Sequence, residues 1–312
     1  MKFDKSSEDR IAVCGKYWNQ YAGKVSSLDY LWRIRCYQQL CPHCNSKGGA
    51  IHRRRKKSES DRLVKYYGSL DGLGVREFVY TLPESLRPLF STKEGLDKLL
   101  KMVGKLIKPL FPGRLVDLSL HVIGNDPGTM HIHVNAYVFE RILPGFNFWL
   151  SAGFLKEMKS EFRKKLLKYG FRGEDVVVDY HFKTKLPKVL GAVKYFTRPN
   201  PDYSELMVMK EKNNKAFKFL TSKEMRKFNY IRHLKSEVAA DQYIEGDAPL
   251  KFEKMKYVGR FKMSWEVFIT QYRSWERIEV RPDCFVVRSG GLTLEDYNGL
   301  IEAKEKGGGR DG

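Results

Sequence analysis

Between residues 75 and 198 the apolar positions recur with two different periods, and their alternation predicts strands and helices in turn. Residues 75–82 (VREFVYTL) read as a strand that Pro83 ends. Residues 93–110 read as a helix, since Leu96, Leu99, Leu100, Val103, Leu106, Ile107 and Leu110 repeat at helical spacing. The Phe111-Pro112-Gly113 triplet then breaks it. Residues 115–123 alternate, with Val116, Leu118, Leu120 and Val122 facing one way and Asp117, Ser119 and His121 the other. Gly124 to Gly128 supply a turn. Residues 130–139 alternate again: Met130, Ile132, Val134, Ala136 and Val138 oppose His131, His133 and Asn135. The pair predicts a hairpin with one buried face and one functional face.

A helix is predicted over 150–169, carried by Leu155, Met158, Phe162, Leu166 and Tyr169 and stopped by Gly170. Residues 174–183 read as a strand. Residues 187–198 read as a helix with Pro187 in its first turn and Pro199 beyond its end. The stretch 205–290 mixes short helical and strand patterns, and the KEKGGGRDG tail has the composition of a disordered segment. There is no internal repeat. These elements predict an α+β fold, an antiparallel sheet with helices packed on one face. The division expected is a 1–60 module, a 70–205 core, a 206–300 extension able to complete that core, and a disordered 301–312 tail.

Composition narrows the class. Of 312 residues, 42% are hydrophobic, which excludes a disordered chain. No apolar run approaches the roughly 18–20 residues of a membrane span, and the charged N-terminus lacks an apolar leader. A soluble, intracellular protein without a membrane partner is the expectation. Lys and Arg number 57 against 37 Asp and Glu, a net charge of +20 that suits a polyanion. With 17 Tyr and 19 Phe, stacking on unpaired bases is available, so nucleic acid is the expected partner.

Four of the five cysteines, Cys14, Cys36, Cys41 and Cys44, fall in the first 44 residues. Cys41-Pro42-His43-Cys44 is a tight knuckle that points two thiolates at one metal, as zinc ribbons do. Cys36 is a plausible third ligand and Cys14 a fourth; His43 or His52 could replace Cys14. Four thiolates leave zinc no open position, so such a site is structural. Cys284, beside Phe285-Val286-Val287, reads as a core residue. The run His52-Arg53-Arg54-Arg55-Lys56-Lys57 reads as a solvated face or a phosphate contact.

His131 and His133 stand two apart on a strand, so both imidazoles point to one side. His121 lies on the polar face of the preceding strand and comes close if the two strands pair. Three imidazoles on one face make a half-shell with open positions, through which a metal can grip a phosphate oxygen. On the 187–198 helix, Val189, Val193 and Phe196 mark an apolar side, and Lys188, Tyr195 and Arg198 fall on the other. A tyrosine can attack phosphorus. Its ordinary pKa is near 10, so it needs help, which a metal and the cations Lys194 and Arg198 would supply.

In these features the chain resembles the HUH endonucleases, specifically the rolling-circle replication initiators of plasmids and viruses, and also the HUH-type transposases. The resemblance covers about residues 14–200 and rests on three motifs in the family's order. They are the strand end Phe78-Val79-Tyr80-Thr81-Leu82-Pro83, the strand Met130-His131-Ile132-His133-Val134-Asn135, and the helix segment Tyr195-Phe196-Thr197-Arg198, with Arg for the usual Lys. The C-x4-CPxC segment also matches. Two departures stand out. His121 takes the place where initiators often carry Glu, a transposase-like pattern, and Gly191 stands where some relatives carry a second tyrosine. The resemblance therefore implies a single-tyrosine enzyme, with Tyr180 and Tyr203 as reserve candidates.

What the resemblance implies is a protein that nicks and rejoins single-stranded DNA at an exposed or hairpin origin. His121, His131 and His133 would hold Mg²⁺ or Mn²⁺, and Cys14, Cys36, Cys41 and Cys44 would hold Zn²⁺. Tyr195 would form a 5′-phosphotyrosine link, assisted by Lys194 and Arg198, and leave a 3′-OH for host replication proteins. A single tyrosine calls for another subunit or water to end the cycle, and a homodimer is one way to supply it. The setting implied is the cytoplasm of a prokaryotic cell, with the gene on a mobile element. A different class is also compatible, a zinc-containing DNA-binding regulator without nuclease activity. No GxxxxGK[ST] segment occurs, so no helicase is expected.

Overall fold

The computed structural model describes residues 7–12, 14–23, 29–124, 126, 128–142, 149–234, 255–262, 276–281 and 284–288. The chain divides into two compact units, one of residues 55–246 and one that joins residues 1–54 to 247–312.

The first unit is built on a five-stranded antiparallel sheet. Its strands are β3 (Leu73–Thr81), β4 (Leu115–Ile123), β5 (Met130–Arg141), β6 (Val177–Lys183) and β7 (Ile231–Leu234), in the order β6-β3-β5-β4-β7. On one face, Phe78, Tyr80, Leu118, Leu120, Val134, Ala136 and Val138 meet α4 (Lys93–Ile107) and α5 (Ala152–Leu167). The first of these helices buries Leu96, Leu99, Leu100, Val103 and Ile107, the stripe that its spacing predicts. Thr92 caps it by accepting from the Gly95 N–H at 3.0 Å, and Ser151 caps the second by accepting from Phe154. The short helices α7 (Tyr203–Lys212), α8 (Asn214–Leu220) and α9 (Lys223–Arg226) add Leu206, Met209, Leu220 and Met225 to the same core.

The opposite face, which carries the histidines, is covered as well. There Leu73, Val75, Leu115, Tyr137 and Phe139 pack against α6 (Leu186–Phe196) through Val189, Ala192, Val193 and Phe196. Leu63, from α2 (Ala50–Tyr67), joins them. The expectation of helices on one face is thus corrected: the sheet is sandwiched. The physical reason is the second apolar set on β3, β4 and β5, which would otherwise face water. Asp117, assigned to a polar face, is fully buried there, held by Arg62 and by His233 at 2.8 Å.

The second unit pairs distant parts of the chain. It contains α1 (Ser7–Ala12), β1 (Tyr17–Gly23), β2 (Asp29–Arg33), β8 (Met255–Lys262), β9 (Glu276–Arg281) and β10 (Cys284–Arg288). Its antiparallel sheet has the order β8-β1-β2-β10-β9. Trp18 and Leu31 are buried, and the Arg33 guanidinium lies 5.7 Å from the Trp18 ring. The 206–300 stretch is therefore not one extension. Its residues to 234 complete the first sheet, and β8 to β10 belong to the second. Cys284 opens β10, and its expected core role concerns a side chain outside those described, as does the 301–312 tail. The basic run 52–57 lies on the first half of α2, where Arg54, Lys56 and Lys57 are exposed. Among the described residues no helix is long and apolar enough to cross a membrane.

Candidate functional site

Two sites emerge, one in each unit. Cys14, Cys36, Cys41 and Cys44 place their sulfurs within 4.8 Å of one another. The Cys14–Cys44 and Cys36–Cys44 separations are 3.3 and 3.8 Å, too long for a disulfide. A tetrahedral zinc with Zn–S bonds near 2.3 Å requires sulfurs about 3.8 Å apart. The four thiols form a metal-binding arrangement compatible with structural zinc. Backbone bonds shape it: Asn45 N–H donates to the Cys41 carbonyl at 2.9 Å, and Ile51 N–H to the Cys44 carbonyl at 3.1 Å. Contacts among the four sulfurs pull the thiols in opposite directions, Cys14 and Cys41 down and Cys36 and Cys44 up. Neither histidine takes the place of Cys14. His43 is exposed, and His52 Nδ1 accepts from the Gly48 N–H at 2.8 Å.

The second site lies where β4 and β5 meet below the C-terminal end of α6. His121 and His133 are directly opposed in the register of the two strands, with ring centroids 4.9 Å apart. His131 follows two residues away, 5.5 Å from His133. A Cβ on Gly124 would come within 2.8 Å of the His131 Cβ, so this position requires glycine for His131 to sit as it does. The Tyr195 ring stacks on His121 at 5.1 Å with an interplanar angle of 12°. The Arg198 guanidinium lies 4.4 Å from the Tyr195 ring centroid. Its Nη2 is 3.2 Å from His121 Nδ1 and 3.5 Å from the Tyr195 hydroxyl.

The local sequence explains this placement. Val189, Val193 and Phe196 anchor α6 on the sheet, which leaves Tyr195 on the outer side, 38% exposed. The helix stops where the Thr197 hydroxyl donates to the Val193 carbonyl at 2.7 Å. Asn200 then donates to the Leu120 carbonyl at 3.0 Å, tying the segment after Arg198 to the residue beside His121. Lys194, the other cation expected to help, is exposed on α6, so Arg198 is the one that the fold lays on the tyrosine.

Burial pushes all three imidazoles towards neutrality. His121 is held well below its ordinary value by burial, then by His133 and Arg198. Burial brings His133 down to about 4, and burial with Arg87 lowers His131. Neutral imidazoles are the metal-ligating form. Among the described residues His121 Nε2 is buried without a hydrogen-bond partner; with Nδ1 accepting from Arg198 it carries the proton of the neutral ring, and binding a metal there would require that proton to leave. The histidines are not, however, among the groups of described residues whose ligand atoms fall within 4.8 Å of one another. Their rings would have to turn inward to share one ion. Burial raises the Tyr195 hydroxyl above its ordinary value, and Arg198 opposes that rise.

Arg87 belongs to the Glu84-Ser85-Leu86-Arg87 segment after the first motif, to which the sequence assigns no site role. It opens the short helix α3 (Arg87–Phe90) after the Thr-Leu-Pro strand end, and its Nη2 lies 3.3 Å from His131 Nδ1. The signal was a lone arginine among 57 basic residues. Tyr180 is corrected as a reserve nucleophile. It points to the opposite face, 5.0 Å from Phe78, and its hydroxyl accepts from Arg76 at 2.6 Å. Tyr203 begins α7, half-buried. A further group, Glu59, Asp117 and His233, also has clustered ligand atoms. Arg62 already bridges both carboxylates, so its charge is satisfied without a metal. Comparison of the chain with family models, curated proteins and solved structures finds no match.

Proposed function

We propose that this protein is an HUH-type enzyme that nicks and rejoins single-stranded DNA, acting as a rolling-circle replication initiator. The observation that carries the reading is the stack of Tyr195 on His121, with Arg198 touching both and His133 directly across the strands. One tyrosine, one cation and a row of neutral imidazoles on a rigid sheet are the parts needed for attack on a phosphodiester.

Mg²⁺ or Mn²⁺ held by His121, His131 and His133 would polarise the scissile phosphate. The chain's own residues do the rest. Tyr195 presents its hydroxyl at the exposed side of α6, where a strand can reach it. Arg198 stabilises the phenolate as the proton leaves to solvent, and Arg87 offers a second positive charge beside His131. The tyrosine oxygen bonds to phosphorus, the bond to the 3′ oxygen breaks, and that oxygen takes a proton from solvent. The 5′-phosphotyrosine conserves the phosphodiester, so the reverse reaction rejoins the strand without a nucleotide cofactor. Host replication proteins would extend the 3′-OH, in the cytoplasm of a prokaryote that carries the element. A zinc ion on the four cysteines would fix the N-terminal segment, and the +20 charge supports DNA as the partner. His121 in the third ligand position favours a second reading, a transposase with the same chemistry.

The test is a random-sequence single-stranded DNA pool, labelled at its 3′ end, incubated with the full chain and Mn²⁺ and resolved under denaturing conditions. A labelled covalent adduct that maps to Tyr195 and vanishes in Tyr195→Phe is the expected result. Absence of any adduct from a chain that still binds the pool would leave a DNA-binding regulator as the better reading.

A further inference from the structure

The outer side of α6 is a continuous basic stripe that the chemistry above uses only at one end. Lys188, Gly191, Lys194 and Tyr195 are exposed along it, and residues 184–198 include no acid. A Cβ on Gly191 would meet nothing within 4 Å, so the middle of the stripe is low and open. Two helical turns, about 10 Å, separate Lys188 from Tyr195. That is a span of a few nucleotides.

At the far end of the stripe lies a cleft of about 370 Å³, where edge strand β6 passes into α6. Trp149, Tyr180 and Phe182 form its aromatic wall, and Lys183, Lys185 and Lys188 are the charged residues of its lining. Trp149 is 64% exposed, the largest exposure among the big apolar side chains described. Its ring stands at 88° to Tyr180 and 90° to Phe182, with centroids 6.2 and 5.7 Å away. Those two rings are themselves fixed. Arg76 lies 4.3 Å over Phe182, donates to the Tyr180 hydroxyl, and is paired with buried Glu140 at 2.7 Å. The result is an exposed indole standing perpendicular to two fixed rings, beside the exposed Lys185 and Lys188.

We propose that this cleft is a subsite for an unpaired base of single-stranded DNA, stacked on Trp149, with the flanking phosphates on Lys185 and Lys188. A rigid indole and point charges select a π-face next to an anion, which unstacked nucleotides offer and duplex DNA does not. Stacking of this kind is indifferent to base identity, so the subsite grips the strand while sequence is read elsewhere. The link between this grip and the scissile phosphate rests on the nuclease reading; the grip itself does not.

The probe is a fluorescein-labelled oligothymidylate, titrated with the full chain and followed by anisotropy. Trp149→Ala weakens binding by roughly 5- to 100-fold and Trp149→Phe recovers most of it. Lys185→Ala and Lys188→Ala each lower the slope of log affinity against log salt by about 0.7. Because Trp149 is exposed, the urea midpoint of Trp149→Ala stays at the wild-type value. Unchanged affinity in Trp149→Ala, no binding by wild type, or equal competition from duplex DNA overturns the proposal. The adduct assay separates the two readings. Trp149-dependent binding in a chain that forms no adduct supports the subsite and removes the nuclease. An adduct-forming chain indifferent to Trp149 keeps the nuclease and removes the subsite.

Discussion

On the nuclease reading proposed above, removing Arg198 should uncouple cleavage from binding. In the structure its Nη2 is 3.5 Å from the Tyr195 hydroxyl, so a phenolate forming there meets a full positive charge. Coulomb's law at that distance gives about 1 kcal/mol in water and about 5 kcal/mol at an effective dielectric of about 20. Tyr195 is 38% exposed, which pulls the value towards the watery limit. A working figure of about 2 kcal/mol corresponds to a rate loss of ~30-fold. The same guanidinium touches His121 Nδ1 at 3.2 Å, so its loss also frees that ring to rotate. The assay is single-turnover adduct formation with Mn²⁺, on a DNA sequence recovered from the adduct pool. Arg198→Ala should show the rate loss with oligothymidylate affinity little changed. Arg198→Lys should restore part of the rate, since it returns the charge without the planar fork. A rate for Arg198→Ala within about 3-fold of wild type, under half the predicted loss in free energy, would refute the reasoning.

Other expectations follow from the same geometry. Zinc content measured by mass spectrometry should be about one ion per chain, and Cys41→Ser or Cys44→Ser should abolish it, because a structural site needs all four thiolates. Phe196 is 1% exposed and lies 5.1 Å from the Tyr137 ring, so Phe196→Ala should cost about 3–5 kcal/mol in urea denaturation. A cost below about 1 kcal/mol would mean that α6 is not anchored there. His233 is shifted up chiefly by its hydrogen bond to Asp117, so its contribution is complete below the ordinary histidine value and fades as pH rises through the raised one. His233→Gln should therefore lower stability more at pH ~5.5 than at ~8.5, and an equal loss at both would exclude a charged pair.

The β4–β5 hairpin was legible because strict alternation fixes which side each residue faces, and the pairing of His121 with His133 follows from that alternation and a short turn. The α6 helix was legible for a similar reason, since Pro187 starts it and Val189, Val193 and Phe196 mark its inner side. What local pattern hides is contact between remote segments. β1 pairs with β8, more than 200 residues away, and neither strand alternates strongly enough to announce itself. Asp117 looked like a solvent-facing residue because nothing near it in sequence reveals that Arg62 and His233 converge on it. Arg87 reaches His131 only because the turn after β3 brings it there. Periodicity shows which way a side chain points, and only the fold shows what waits on that side.

The pairing of β1 and β2 with β8 and β10 has a consequence in time. The sheet of residues 73–234 is drawn from one contiguous stretch of the chain, with no strand of the other sheet inserted in it. Arg33, at the end of β2, is made roughly 220 residues before Met255 begins β8, an interval of roughly 10–45 s at ordinary synthesis rates. During that interval β1 and β2 have each other but neither outer neighbour, and their edges are open to any passing strand. A metal clasped early by Cys14, Cys36, Cys41 and Cys44, all present once residue 44 is out, would give the waiting segment a folded partner of its own. If that metal is zinc, its supply during synthesis matters more to this architecture than its supply to the finished protein.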